Sequence, residues 1–144
     1  MSSYYFVEPE VAGGFGERSE IDRSSGTMMV KKLHYVFEGW LGDELLENTP
    51  CFIISERLAN EIGANHLTGA RFDEVEVTTS DEFKELYPIR QVPLFIWLRV
   101  YGVPGQDDFG LAPGLKLVIS SRALHLLRGV GLAHAASISP FVET

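Results

Sequence analysis

Cys51-Phe52-Ile53-Ile54-Ser55-Glu56-Arg57-Leu58-Ala59-Asn60-Glu61-Ile62-Gly63 is the stretch that decides the fold. Its first four residues form an unbroken apolar run, which predicts a short strand. The Ser55 hydroxyl can accept from an otherwise orphaned backbone N–H and so caps a helix. Leu58, Ala59 and Ile62 recur at helical spacing on one face, and Gly63 is the expected stop. A strand that runs straight into a capped helix is the unit from which the rest can be read.

The same unit recurs. Ile119-Ser120-Ser121-Arg122 stands 65 residues after Ile54-Ser55-Glu56-Arg57, and at that offset Ile62 matches Leu127 and Leu67 matches Leu132. Lys116 to Ile119 reads as a strand, Ser120 to Gly129 as its capped helix, and a further strand is expected around Ile138. The spacing predicts two related strand–helix units, 51–77 and 116–142. Two copies are too few for a solenoid.

Outward from these units the elements are shorter. Tyr4-Tyr5-Phe6-Val7 before Pro9 predicts an edge strand, because proline cannot donate to a ladder. Residues 12–27 carry four glycines among serines and charges and read as a long loop. Leu33 to Phe37 is aromatic and β-branched, a strand. Asp43 to Glu47 predicts one or two helical turns before Pro50. Phe72, Val75 and Val77 read as one strand broken by acidic residues. Ser80 caps a short helix over 81–87 with Phe83, Leu86 and Tyr87 inward, ended by Pro88. Leu94 to Tyr101 alternates as the strongest strand, and 102–114 is a second loop rich in Gly, Pro and Asp. The class expected is α+β: one domain over 1–144, a mixed or mostly antiparallel sheet with a few short helices.

A chain of 144 residues with 45% hydrophobic content can bury a core without disulfide or metal, and one cysteine excludes a disulfide framework within the chain. No apolar run approaches a membrane span, and the start Met1-Ser2-Ser3-Tyr4-Tyr5 lacks a signal-peptide pattern, so a cytoplasmic protein without membrane contact is expected. The net charge of −8 is uneven. Between Glu38 and Glu85 lie 12 acidic and 3 basic residues, a net −9 against +1 for the remainder. Such a surface disfavours nucleic acid and favours a basic partner.

Chemistry is sparse. Asp108-Phe109-Gly110 lacks every companion motif of a kinase and reads as a turn. The run Gly13-Gly14-Phe15-Gly16 leads into Glu17-Arg18-Ser19-Glu20 rather than a helix, so no phosphate cradle is expected. His34, His66, His125 and His134 show no paired ligand spacing, and Cys51 sits in an apolar run as a buried, inert thiol; neither metal nor cofactor is expected. No Gly-x-Ser-x-Gly elbow occurs, and Asp107-Asp108 fits turn hydrogen bonding. Binding therefore outranks catalysis. Trp40, set between Gly39 and Leu41-Gly42, is the candidate aromatic anchor, ringed by acids.

The succession Ile54-Ser55-Glu56-Arg57-Leu58, the helix to Gly63, Leu67-Thr68-Gly69 and Phe72-Asp73-Glu74-Val75-Glu76-Val77 resembles the bacterial polymorphic-toxin immunity proteins of the myxobacterial-type immunity domain family. Leu117-Val118-Ile119-Ser120-Ser121-Arg122-Ala123 resembles the same element, and the likeness covers residues 50–135. It implies a small non-catalytic protein that binds and neutralises one cognate toxin domain, and it transfers no catalytic residue. The acidic segment adds the expectation of a basic partner such as a nuclease, met by Trp40, Asp43, Glu44, Glu47, Asp73, Glu74 and Glu76. Two alternatives stay open: a ligand-binding domain or enzyme with a pocket between loops 12–27 and 102–114, and an accessory module acting as a homo-oligomer.

Overall fold

The computed structural model describes residues 3–142. The elements are β1 (Tyr4–Glu8), β2 (Gly13–Phe15), β3 (Glu20–Asp22), β4 (Met29–Phe37), β5 (Leu45–Asn48), β6 (Cys51–Ser55), α1 (Glu56–Ala64), β7 (Ala70–Asp73), β8 (Val75–Thr79), α2 (Asp81–Leu86), β9 (Phe95–Val100), β10 (Phe109–Ala112), β11 (Lys116–Ser120), α3 (Ser121–Val130) and β12 (Ser137–Pro140). The fold is α+β: three mostly antiparallel sheets with few, short helices.

The sheet β5-β6-β9-β7 is the partition of the molecule. One face carries Leu45, Phe52, Ile54 and Leu98 into a core shared with α1, α3 and the sheet β10-β11-β1-β12. The opposite face carries Leu46, Ile53, Phe95 and Trp97 into a second core, under β4 and α2. Every residue of β6 is buried, so its apolar run has no polar alternation because neither face meets water.

In the second core Phe37 is the hub. Its ring lies 5.2 Å from Tyr35, 5.8 Å from Trp40, 6.1 Å from Phe83 and 5.4 Å from Phe95, in tilted or edge-on arrangements. β4 holds this hub by pairing antiparallel with β2 and β3 and parallel with β8.

Several local expectations are corrected. β1 is no edge strand: it pairs β11 on one side and β12 on the other, since Pro9 falls past its last paired residue. Residues 12–27 are not all loop, because β2 and β3 lie within them. Gly13 is there for close approach, as a Cβ would run into the Val36 carbonyl. Asp43 to Glu47 is not helical: Leu45 and Leu46, adjacent and both fully buried, enter opposite cores, which only an extended strand allows. Phe72 and Val75–Val77 belong to two strands in different sheets, the chain switching at Glu74. Leu86 faces outward, with Phe83 inward as expected. α1 runs one residue past Gly63, and β10 lies inside the second loop. The helix starts hold: Ser55, Ser80 and Ser120 each accept from the backbone N–H three residues on.

Two four-stranded sheets share one plan. Matching β5, β6, β9 and β7 with β10, β11, β1 and β12 preserves order and antiparallel sense throughout. In the first set β9 follows its helix in sequence, and in the second β1 precedes it.

Truncating the hub tests the packing. Phe37→Ala should lower unfolding stability by about 3–5 kcal/mol. Chemical denaturation followed by fluorescence should read this loss; a loss below about 1 kcal/mol would mean Phe37 is not the hub.

Candidate functional site

The polar residues sort into those that hold the fold and those left on its surface. Two carboxylates inside the protein occupy equivalent places. Glu44, just before β5, accepts from the Ser55 hydroxyl at 2.5 Å and from Arg57 through Nε (3.1 Å) and Nη2. Asp108, just before β10, accepts from the Ser120 hydroxyl at 2.6 Å and from Arg122 through Nε (2.9 Å) and Nη2 (2.7 Å). Each arginine then reaches the other unit's helix end. Arg57 donates to the carbonyl of Val130 at 2.7 Å, and Arg122 to those of Asn65 at 3.4 Å and His66 at 3.2 Å. A guanidinium there satisfies carbonyls that a helix terminus leaves unpaired.

The electrostatics follow. Burial alone would raise the Asp108 pKa, but hydrogen bonds from Arg122, Ser120 and the Thr68 backbone, with the Arg122 charge, bring it down to about 2. The same balance at Glu44, with Arg57 and Ser55 outweighing burial, also lowers its pKa. Asp108 is thus no turn residue of a Asp-Phe-Gly triplet, although Asp107 beside it does accept locally, from Val103 N–H at 2.8 Å.

The sequence-predicted partner residues do not converge on one surface. Trp40 is buried: its Nε1 donates to the Asp43 carbonyl at 2.9 Å, and the Arg90 guanidinium stacks 4.2 Å from its ring centre. Gly42, at φ +113°, takes the turn that follows the indole. Asp43 is buried and accepts from the backbone N–H groups of Ala133 (2.9 Å) and His134 (2.7 Å), tying the segment after α3 to β5. Glu44 belongs to its clamp. Glu47 is half-buried, and burial, helped by the Glu8 charge, pushes its pKa up. Trp40, Asp43 and Glu44 serve the interior, whereas Glu47 lines a surface cavity beside β1. Asp73, Glu74 and Glu76 lie around the β7–β8 switch, where Asp73 pairs with Arg99 at 2.9 Å and Glu76 with Arg18 at 2.6 Å, leaving Glu74 without an ion pair among the described residues.

Surface acids and apolar groups missed from the sequence sit on α2 and after it. Asp81, Glu82 and Glu85 are exposed, as are Leu86 (65%) and Ile89 (95%). The available signal was Ser80 as cap with Phe83 inward, which leaves the rest of so short a helix facing out.

Among the described residues, surface cavities of about 590, 530, 410 and 160 Å³ stand out. The first lies at the β7–β8 switch between Lys32, Phe72, Glu74 and Ile96. None of the four has walls from both 12–27 and 102–114. Among the described residues no group of three or more His, Cys, Asp or Glu is placed to hold a metal ion. The Cys51 thiol is buried, and that burial pushes its pKa up to about 12. No helix is long and apolar enough to cross a membrane among the described residues. No protein-family model matches the chain, and no match is found among curated proteins.

The clamp predicts an acid response. With its folded-state pKa near 2 and an unfolded value near 4, Asp108 contributes roughly 2 kcal/mol above pH 4, lost as pH falls towards 2. Glu44 acts in the same direction. Urea unfolding at a series of pH values should show this decline in the wild type and a flatter one in Asp108→Asn. Equal slopes in the two proteins would contradict it.

Proposed function

We propose that this is a non-catalytic, cytoplasmic immunity-type protein that binds and neutralises a cognate toxin domain with a basic surface, such as a nuclease. The observation that carries this reading is how the acidic residues divide. Asp43, Glu44 and Asp108 are spent on backbone amides and arginines inside the fold. Asp81, Glu82 and Glu85 are left outward on a six-residue helix, beside Leu86 and Ile89, which the monomer does not cover.

Carboxylates around exposed aliphatic side chains suit a partner that offers lysines or arginines about an apolar centre. The charges steer the encounter, and the apolar contacts hold the complex. A nuclease must be basic where it holds phosphates, so an acidic inhibitor can occupy that surface in place of substrate. In this reading the face lies on α2 and residues 86–89, with Glu74 as a further exposed acid, and Trp40 and Asp43 act only by holding the scaffold.

The test uses the toxin domain that this reading expects to be encoded beside the protein. Glu82→Lys/Glu85→Lys and Ile89→Asp should each weaken binding at least tenfold, with the charge variant also flattening the salt dependence, and each should reduce protection in co-expression. Unchanged affinity, salt dependence and protection, in variants that melt like the wild type, would refute this face.

A further inference from the structure

β7 is an outer strand of the partition sheet and, among the described residues, pairs with β9 alone. Among the described residues, Arg71 and Phe72 make no backbone hydrogen bond outside that ladder. Two other outer strands are blunted. β5 is met by Glu10, whose carbonyl accepts from Glu47 N–H at 2.9 Å, and β12, which holds the place of β7 in the matching sheet, ends in Pro140, which has no N–H to donate. β7 has no proline and carries Phe72, 43% exposed, in its middle. An unblunted edge with an aromatic at its centre is a template for another strand.

The side chains beside Phe72 say which strand. Arg71 stands directly across the ladder from Arg99, a like-charge pair that disfavours the monomer, and Arg71 has no ion pair of its own among the described residues. Arg99 is committed: it stacks 4.3 Å from the Trp97 ring centre and bonds Asp73. Two residues on, on the same face, Asp73 carries the opposite sign.

From this we propose that the occupant of the edge is a second copy of the same chain, its β7 added antiparallel about a two-fold axis through Phe72. In that register Phe72 meets Phe72, and Arg71 of each copy meets Asp73 of the other. The two neighbouring registers that keep the sheet faces aligned set Arg71 against Arg71 or Asp73 against Asp73, so charge selects one. The contact is isologous, as two-fold closure requires, and makes one eight-stranded sheet from two partition sheets. It leaves α2 and residues 86–89 of the proposed toxin face uncovered and takes up only Glu74, which comes to lie opposite Ala70 of the other copy, so either idea can fail alone.

Sedimentation equilibrium of the full chain from micromolar to millimolar concentration should show a reversible monomer–dimer equilibrium. Arg71→Asp and Asp73→Arg should each weaken self-association at least tenfold, because each sets like charges across the axis. Mixed in equal amounts, the two variants should form a heterodimer, since their charges again alternate. Hydrogen exchange of the unmutated protein should slow at Phe72, whose N–H points away from β9, as concentration rises. A wild type monomeric throughout, single variants that dimerise like the wild type, a mixture of folded variants that stays monomeric, or exchange independent of concentration would each overturn the proposal.

Discussion

The paired clamps Ser55–Glu44–Arg57 and Ser120–Asp108–Arg122 are the interaction on which the arrangement of the two helical units depends. Each does three jobs with one carboxylate. It holds the strand before the hairpin, takes the hydroxyl hydrogen of the serine whose oxygen caps the helix, and aims an arginine across the molecule. Because Arg57 ends on α3 and Arg122 on the residues after α1, each unit caps the other. Removing a single arginine would leave a largely buried carboxylate without its ion pair, a loss moderated by the serine hydroxyl that each carboxylate keeps and by the solvent that reaches the arginine. Here both sites would be strained together, since the helices that carry the arginines pack on one another.

That reciprocity gives the partition sheet its place. β6 is buried on both faces and β9 is apolar on both from Phe95 to Leu98, so they need a layer on each side. The clamps supply one layer by fixing α1 against α3. The other comes from β4 and α2, gathered round Phe37. The two cores therefore meet across a single strand layer, and a change in β6 is felt in both.

How legible each part was depends on the range over which it is determined. Caps are local: a serine hydroxyl bonding an N–H three residues on needs nothing distant, and Ser55, Ser80 and Ser120 were readable for that reason. β6 and the Leu117–Ile119 stretch of β11 were readable because burial on both faces leaves an unbroken apolar run. β5 was not, since Leu45-Leu46 between acids fits a helix as well as a strand until two cores exist for the leucines to enter. Gly13 and Gly16 looked like loop residues, yet the first makes room for Val36 and the second for the His34 ring, neighbours that only pairing brings near. Asp108 was hidden by its own neighbourhood, where glycines, prolines and Asp107 all signal a turn. Its counterpart is Glu44, 64 residues earlier, while the serines and arginines recur at 65; the one-residue difference in the hairpins conceals the carboxylates from a constant offset.

The same reasoning changes what the acidic segment means. A net −9 between Glu38 and Glu85 suggests one repelling surface, and its repulsion would oppose compaction if all of it faced water. In the fold its first part turns inward, where Asp43 takes two amides and Glu44 an arginine and a serine, so those charges contribute cohesion instead. Its second part is mixed, with Asp73 and Glu76 answered by Arg99 and Arg18 from outside the segment. Only α2 and scattered single residues keep free carboxylates at the surface. Charge counted along a chain therefore overstates the field a partner would meet, and the overstatement is largest where acids precede strands, because there the backbone and the arginines of later elements arrive to consume them.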